Sequence, residues 1–239
     1  MPEIALQAHR VTAGYVPDLP ILKDVNIAVR RMSVTVIVGP NGAGKSTLIK
    51  AIAGLVPLTE GQILHRGEDI SHLRPDLMVK QGIAYVPQMD NIFRTLTVRQ
   101  NLDLALRNAG SEAATRLDEL STLFPVLRDK QDAKAGALSG GQRQFLGVAL
   151  ALATRPSIIL MDEPSAGLSP KAAQEVLECA RSLTEKGVTI LLVEQNVKQA
   201  LRLADHCYVL AEGRNQVDGP AADLLADPIL AKIYLGATR

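Results

Sequence analysis

The stretch that decides the fold is Val34-Thr-Val-Ile-Val38 followed by Gly39-Pro-Asn-Gly-Ala-Gly44-Lys45-Ser46-Thr47. The first part is a near-continuous apolar run of strand length, and the second matches the phosphate-loop pattern in full. The glycines let backbone N–H groups turn inward around a phosphate, and the helix predicted to follow adds partial positive charge at its N-terminus. We therefore predict that Lys45 reaches the β- and γ-phosphates of a nucleotide and that the Ser46 hydroxyl holds Mg²⁺. The residues predicted to bind nucleotide through this loop are Gly39, Asn41, Gly42, Gly44, Lys45, Ser46 and Thr47.

Two further apolar runs repeat the pattern of a strand followed by a helix. The runs are Ile158-Ile-Leu-Met161 and Val188-Thr-Ile-Leu-Leu-Val193. Near-continuous apolar runs of this length are typical of parallel strands that are buried on both faces. Helical patterns follow the three runs, over residues 44–53, 170–186 and 196–204. This alternation predicts an α/β fold with a P-loop NTPase core.

The segments around this core have different patterns. Near the N-terminus, Ile4-Leu6-Ala8 and Val25-Ile27-Val29 alternate with period two, which predicts an N-terminal antiparallel β-subdomain. Residues 97–154 carry helical patterns and no convincing strand, and Ser111 is predicted to cap a helix there. We interpret residues 1–239 as a single domain. In it, 1–88 and 156–239 form the nucleotide-binding core, and about 89–155 form an inserted α-helical subdomain.

Two acidic residues, Asp162 and Glu163, follow one of the apolar runs. A carboxylate at the carboxyl end of a buried parallel strand points into the crevice where such sheets bind ligands. We predict that Asp162 orients Mg²⁺ and that Glu163 is the general base for an attacking water. The alternative interpretation of Asp-Glu-Pro is a strand-ending turn, which the nearby phosphate loop disfavours.

The composition excludes several classes of protein. The 26 Lys and Arg residues nearly balance 25 Asp and Glu, and the net charge of +1 argues against a nucleic-acid partner. Aromatic residues make up only 3 % of the chain, which disfavours a surface that stacks on sugars or bases. The two cysteines and the absence of a signal-peptide pattern lead us to expect a reducing, intracellular compartment.

A second glycine-rich segment, Leu138-Ser139-Gly140-Gly141-Gln142, completes a resemblance to the ABC ATPases, the nucleotide-binding subunits of ATP-binding-cassette transporters. The resemblance extends over essentially the whole chain. Ser139 is predicted to cap a helix whose N-terminus is open to an anion at Gly140 and Gly141. The resemblance implies a head-to-tail dimer in which this segment of one subunit closes over ATP held by Lys45 of the other. The residues implied to contact that nucleotide are Ser139, Gly140, Gly141 and Gln142.

The resemblance also implies roles for single residues. Tyr15 lies where the family has an aromatic side chain that stacks on adenine; an ordinary strand residue is the alternative. Gln88 matches the glutamine that touches both Mg²⁺ and the attacking water, so it is expected to act as a metal ligand and in catalysis; a polar loop residue is the alternative.

Two positions depart from the usual family pattern. Gln195 stands where the family has a histidine, and we predict that its amide takes over the contact with the γ-phosphate. With Lys45, it would stabilise charge on the transferring phosphoryl group. Ser169 stands where the family has an aspartate, so a hydrogen bond across the dimer remains available but a carboxylate does not.

Three segments resemble one subfamily in particular, the ATPase subunits of bacterial branched-chain amino acid importers and their urea and amide relatives. They are Glu163-Pro-Ser-Ala-Gly-Leu-Ser-Pro170, Glu194-Gln195-Asn196 and Ile233-Tyr234-Leu235-Gly236. The resemblance implies an ATPase with ATP and Mg²⁺ at its site that powers an importer, with branched-chain amino acids as the expected substrate. The implied partners are transmembrane permease subunits, a second ATPase subunit (identical or a sister chain) and, indirectly, a periplasmic or extracellular substrate-binding protein. The implied location is peripheral, at the cytoplasmic face of the inner membrane.

Other assignments stay open. Met89-Asp-Asn-Ile-Phe-Arg-Thr-Leu-Thr-Val98 resembles the ATPase of lipopolysaccharide export, which is the alternative together with urea or amide import. A soluble, non-transport ABC ATPase is the alternative outside this class. We expect the same segment and the helix predicted from Thr97 onward to line the groove for a cytoplasmic permease helix, with Phe93 and Leu96 as anchors. The competing interpretation places both side chains in the core of the helical subdomain.

Overall fold

The computed structural model describes residues 3–16, 18–89 and 91–224. The strands are β1 (Ile4–Ala13), β2 (Leu22–Arg30), β3 (Val34–Val38), β4 (Leu58–His65), β5 (Glu68–Asp69), β6 (Ile83–Val86), β7 (Ile158–Asp162), β8 (Thr189–Glu194), β9 (His206–Ala211) and β10 (Arg214–Pro220). The helices are α1 (Lys45–Ile52), α2 (Pro75–Lys80), α3 (Val98–Leu106), α4 (Ala113–Leu123), α5 (Pro125–Arg128), α6 (Gly140–Leu152), α7 (Pro170–Glu185), α8 (Val197–Leu203) and α9 (Ala221–Leu224). None of the helices within these ranges has both the length and the apolar character needed to cross a membrane.

The central sheet has six strands in the order β10-β9-β3-β8-β7-β6. The pairs from β9 to β6 are parallel, and only β10 runs antiparallel to its neighbour. Every residue of β3, β7 and β8 is buried, because these strands lie in the middle of the sheet and are covered on both faces. The predicted α/β fold is confirmed, and the carboxyl ends of β3, β7 and β8 share one edge of the sheet.

A second, antiparallel sheet in the order β2-β1-β4-β5 packs against the central sheet. Its strands β1 and β2 alternate between buried and exposed residues over much of their length, as strands with one solvated face do. The predicted N-terminal antiparallel β-subdomain is therefore confirmed.

Alternate residues of the central strands enter two different cores. Val36 and Val38 belong to the core on the face that α7 and α8 cover, whereas Ile37 belongs to the core that holds α1 and the antiparallel sheet. Side chains of a strand alternate between the two faces, so a strand that is apolar at every position connects two cores. Because β3 is packed on both faces, the point after Val38 at which the phosphate loop begins is held in place.

The described chain between β6 and β7 is helical, with α3 to α6 and two short 3₁₀ turns, Gly110–Glu112 and Ala135–Ala137. Thr97 caps α3 and Ser139 caps α6, each in a reciprocal arrangement with the glutamine three residues later. The prediction that Ser111 caps a helix is wrong. Ser111 lies inside the 3₁₀ turn, so its backbone is not extended as in a capping serine, and Glu112 precedes α4 without a side-chain cap.

Candidate functional site

The loop from Gly39 to Gly44 joins β3 to α1 and is shaped by close backbone contacts. A Cβ at Gly39 would lie 2.1 Å from the Leu210 carbonyl oxygen, so the position admits no side chain. Gly44, at the N-cap of α1, has φ of 95°, which only glycine adopts without strain. The loop is therefore held against β9, and its backbone curves around the start of α1.

Lys45 is buried inside this curve. Its Nζ donates to the carbonyl oxygens of Gly39 (2.8 Å) and Pro40 (3.0 Å). Burial lowers the pKa of the Lys45 ammonium, and the negative charges of Glu163, Asp162 and Glu194 oppose that effect. The Lys45 ammonium is therefore influenced by acidic side chains at the carboxyl ends of β7 and β8.

Ser46 and Asp162 face each other across the ends of β3 and β7. The Ser46 hydroxyl donates to Oδ1 of Asp162 (2.8 Å), and the Tyr85 hydroxyl donates to Oδ2 (3.3 Å). Burial raises the pKa of Tyr85, and the charge of Asp162 adds to the effect. A serine hydroxyl and a carboxylate within hydrogen-bond distance are the hard oxygen donors that Mg²⁺ takes beside nucleotide phosphates, so these residues fit such an ion.

Glu163 follows β7 in a left-handed conformation, with φ of 48°. Its backbone N–H donates to the Val193 carbonyl (3.0 Å), which ties the turn to β8. The Gln195 amide (2.6 Å) and the Gln88 amide (3.1 Å) both donate to Oε2 of Glu163. Within the described ranges no group donates to Oε1, so that oxygen is available to a water.

These side chains surround a cleft of about 370 Å³, here called the phosphate-loop cleft. Its lining consists of Ile21, Asn41, Gly42, Ala43, Gly44, Lys45, Ser46, Thr47, Gln88, Glu163 and Gln195. The fold therefore brings together most of the predicted loop residues with Gln88, Glu163 and Gln195, which lie far apart in the chain. Asp162 reaches the cleft through its bond with Ser46.

Tyr15 is more than half exposed, at 57 %, in the bend that follows β1. It does not line the phosphate-loop cleft, but Ile21, a few residues later, does. The sequence assigned no role to Ile21 or Tyr85, because both reach the site only through the packing of neighbouring segments.

The segment around Ser139 lies outside the lining of the phosphate-loop cleft. Ser139 is exposed at the N-cap of α6, and its Oγ accepts the Gln142 N–H (3.3 Å). Gly141 is buried, and a Cβ there would lie 3.1 Å from that of Ala172 in α7. The N-terminus of α6 thus packs against that of α7, which Ser169 caps by accepting the Ala172 N–H (3.4 Å). Neither Ser139 nor its glycines line the phosphate-loop cleft.

The third subfamily segment, residues 233–236, lies outside the described residues. Each of the other two segments contributes one residue to the lining of the phosphate-loop cleft, Glu163 and Gln195.

Comparisons with known proteins agree with this architecture. The family described as "ABC transporter" matches residues 22–166. The probable branched-chain amino acid transport ATP-binding protein LivF of Archaeoglobus fulgidus is 42 % identical over 233 residues, which cover 97 % of this chain and 98 % of LivF. The high-affinity branched-chain amino acid transport ATP-binding protein BraG of Pseudomonas aeruginosa is 37 % identical, over 93 % of this chain and 96 % of BraG.

Among solved structures, that of MJ1267, an ATP-binding cassette of an ABC transporter, superimposes with a TM-score of 0.89 and 31 % identity. The superposition covers 99 % of this chain and all of MJ1267. The family match, the two relatives and the superimposed structure all indicate the same family, and together they cover nearly the full length of the chain. The chain therefore belongs to the ABC transporter family and is one of its ATP-binding, ATP-hydrolysing cassettes.

Proposed function

We propose that this cassette binds ATP with Mg²⁺ in the phosphate-loop cleft and hydrolyses it to power a membrane importer. The observation that supports the site most directly is the convergence of Lys45, Ser46 and Glu163 on one cleft, with Asp162 bonded to Ser46. Lys45 would exchange its bonds to the loop carbonyls for bonds to the β- and γ-phosphates, because the ammonium is buried within reach of the same loop.

The Mg²⁺ ligands would be Ser46, Asp162 and Gln88. Bound there, the ion would neutralise charge on the β- and γ-phosphates. Tyr85 would keep the Asp162 carboxylate oriented, since its hydroxyl bonds the oxygen that Ser46 does not.

Glu163 would take the proton of the attacking water at Oε1, while the amides of Gln88 and Gln195 hold Oε2. Gln195 lines the phosphate-loop cleft beside Glu163, so its amide would also reach the γ-phosphate from the same position. Lys45 and Gln195 would then stabilise charge on the transferring phosphoryl group.

A second cassette, identical or a sister chain, would complete each site. The N-terminus of α6 does not face the phosphate-loop cleft of its own chain, and the exposed Ser139 presents helix N–H groups that suit a phosphate. Ser139, Gly140, Gly141 and Gln142 would close over the ATP held by the partner, and Tyr15, which is exposed in the bend after β1, would stack on adenine.

Transmembrane permease subunits would dock on the segment after Gln88. Met89 and Phe93 are largely exposed, whereas Leu96 is half-buried. The Asn101 side chain accepts the Phe93 N–H (2.8 Å) and donates to the Phe93 carbonyl (3.0 Å). These two bonds hold the backbone of the loop that presents Phe93. The segment continues directly from Gln88, which would link the docking surface to the bound nucleotide.

The transported substrate would be a branched-chain amino acid. Support comes from the identity with LivF and BraG over nearly the whole chain. The cassette would then sit peripherally at the cytoplasmic face of the inner membrane and depend, indirectly, on a substrate-binding protein outside. Urea or amide import, lipopolysaccharide export and a soluble role outside transport are the competing outcomes.

The test is uptake by the complete complex in proteoliposomes. With ATP on the side of the cassette, the complex should accumulate labelled leucine, isoleucine or valine. A complex with Lys45→Ala should assemble but not transport. ATP hydrolysis coupled to urea, amide or lipopolysaccharide movement, with no amino acid uptake, would overturn the substrate assignment.

A further inference from the structure

Glu194, the last residue of β8, is a buried carboxylate outside the machinery described so far; only 2 % of it is exposed. Its Oε1 accepts the backbone N–H of Ser165 (3.0 Å). Its Oε2 accepts both the Ser165 hydroxyl (2.8 Å) and the backbone N–H of Gln195 (3.2 Å). Burial raises the pKa of Glu194, the three hydrogen bonds oppose this, and the charge of Glu163 adds to it.

Glu194 does not line the phosphate-loop cleft. It lines a second cleft, of about 250 Å³, on the other side of Glu163 and Gln195. Glu163 and Gln195 line both clefts and so form the wall between them. All three donors to Glu194 come from Ser165 and Gln195. Its carboxylate therefore bonds the residues on the side of the second cleft and not the loop that would hold the nucleotide.

The two residues that Glu194 holds lie on either side of Glu163. Ser165 follows Glu163 by two positions in a tight turn, in which Ala166 N–H donates to the Glu163 carbonyl (3.1 Å). Gln195 donates to the Glu163 side chain. A residue with φ of 48° keeps that conformation only when its surroundings determine it, and Glu194 supplies two of the bonds that fix this turn.

We propose that Glu194 is a positioning residue for hydrolysis: it anchors Ser165 and Gln195 to the end of β8 and thereby holds Glu163 in line with the attacking water. The inference rests on the proposed function of Glu163. Deleting the anchor should slow the chemical step and leave nucleotide binding intact, because Glu194 does not line the phosphate-loop cleft and bonds none of the phosphate-loop residues that would hold the nucleotide.

Three single variants, one double variant and one control test this. Glu194→Ala removes all three bonds. Glu194→Gln keeps the shape but turns one acceptor atom into a donor, so at least one bond is lost in either orientation. Ser165→Ala removes only the hydroxyl bond. The matched control is Ser182→Ala, whose hydroxyl bonds the Cys179 carbonyl in α7, away from both clefts.

The first measurement is kcat per molecule of bound ATP, so that unfolded protein, which binds no ATP, is not counted. The second is KM for ATP, and both use the kind of preparation in which the wild type hydrolyses ATP. We expect kcat to fall about 10- to 100-fold in Glu194→Ala and less in Glu194→Gln and Ser165→Ala, with KM within about twofold of wild type. The double variant Glu194→Ala/Ser165→Ala should be no slower than Glu194→Ala alone, because both changes break the same anchor.

Wild-type kcat per bound ATP in Glu194→Ala, or a raised KM with kcat unchanged, would overturn the inference. Should Glu194→Ala fail to fold, a Ser165→Ala variant as fast as Ser182→Ala would do so too. If Glu194→Gln abolishes hydrolysis and retains ATP, Glu194 is itself the base and not a positioning residue. A wild-type chain that neither binds nor hydrolyses ATP would instead refute the proposed function.

Discussion

Replacing Gln195 by alanine tests the arrangement around the proposed base. In the structure the Gln195 amide is 2.6 Å from Oε2 of Glu163, and the Gln88 amide donates to the same oxygen at 3.1 Å. Gln195→Ala removes the shorter of these two bonds and leaves the longer one. The carboxylate is then held from one side only.

The size of the effect follows from the kind of bond that is lost. A hydrogen bond to a charged group contributes about 1.5–3 kcal/mol, and the exposure of the Gln195 side chain lowers this to about 1–1.5 kcal/mol. At about 1.4 kcal/mol per factor of ten, kcat should fall about five- to tenfold. Gln88→Ala removes the longer bond to Glu163 and the proposed Mg²⁺ ligand together, so it should lower kcat at least as much as Gln195→Ala.

The assay is steady-state hydrolysis with kcat and KM measured separately. A fall in kcat at constant KM indicates that Gln195 acts through Glu163 or in the transition state, whereas a rise in KM indicates a γ-phosphate contact in the ground state. Gln174→Ala is the control, because that glutamine bonds Glu178 on the outer face of α7. Unchanged kcat and KM in Gln195→Ala would refute this reasoning.

Further predictions concern the nucleotide site, the helical segment and stability. Ser46→Ala and Asp162→Asn should each raise the Mg²⁺ concentration at half-maximal hydrolysis by about tenfold, measured by Mg²⁺ titration at fixed ATP; an unchanged midpoint contradicts their role as ligands. Asn101→Ala should lower the free energy of unfolding by about 1–3 kcal/mol in urea and speed amide exchange at Phe93, since the buried amide holds that backbone; unchanged exchange contradicts this. Burial lowers the pKa of His65 to about 4, so the unfolded chain binds the extra proton first and stability should fall as pH drops from about 6.5 to 4. In His65→Gln that slope should flatten, and an equally steep slope would contradict it.

The strands that carry the motifs were predictable because they are buried on both faces. Val34–Val38 is a strand over the residues predicted, and the run predicted to end at Val193 extends one residue further, to Glu194. The apolar pattern stops at Val193, whereas backbone pairing with β3 continues through Glu194. A polar side chain that is buried by hydrogen bonds has no apolar signal in the sequence.

The composition of the site was predictable from motifs, but its bonding was not. Gln88 and Gln195 were assigned to a metal ion and a phosphate, and the structure brings both amides to one oxygen of Glu163. Tyr85 reaches Asp162 only because β6 lies beside β7, and the sequence does not encode that adjacency locally. Glu194 was visible only as part of a subfamily segment, because its burial depends on the turn after Glu163.

The central claim is that Glu163 is the base of an ATPase, and Glu163→Gln tests it most directly. The amide keeps the shape and one oxygen acceptor for Gln88 and Gln195 but takes no proton. In the complex, ATP bound per cassette should stay at the wild-type level while ADP release falls at least about 100-fold. Glu175→Gln, at an exposed site on α7, should hydrolyse ATP at the wild-type rate. Turnover by Glu163→Gln within twofold of wild type would contradict the account.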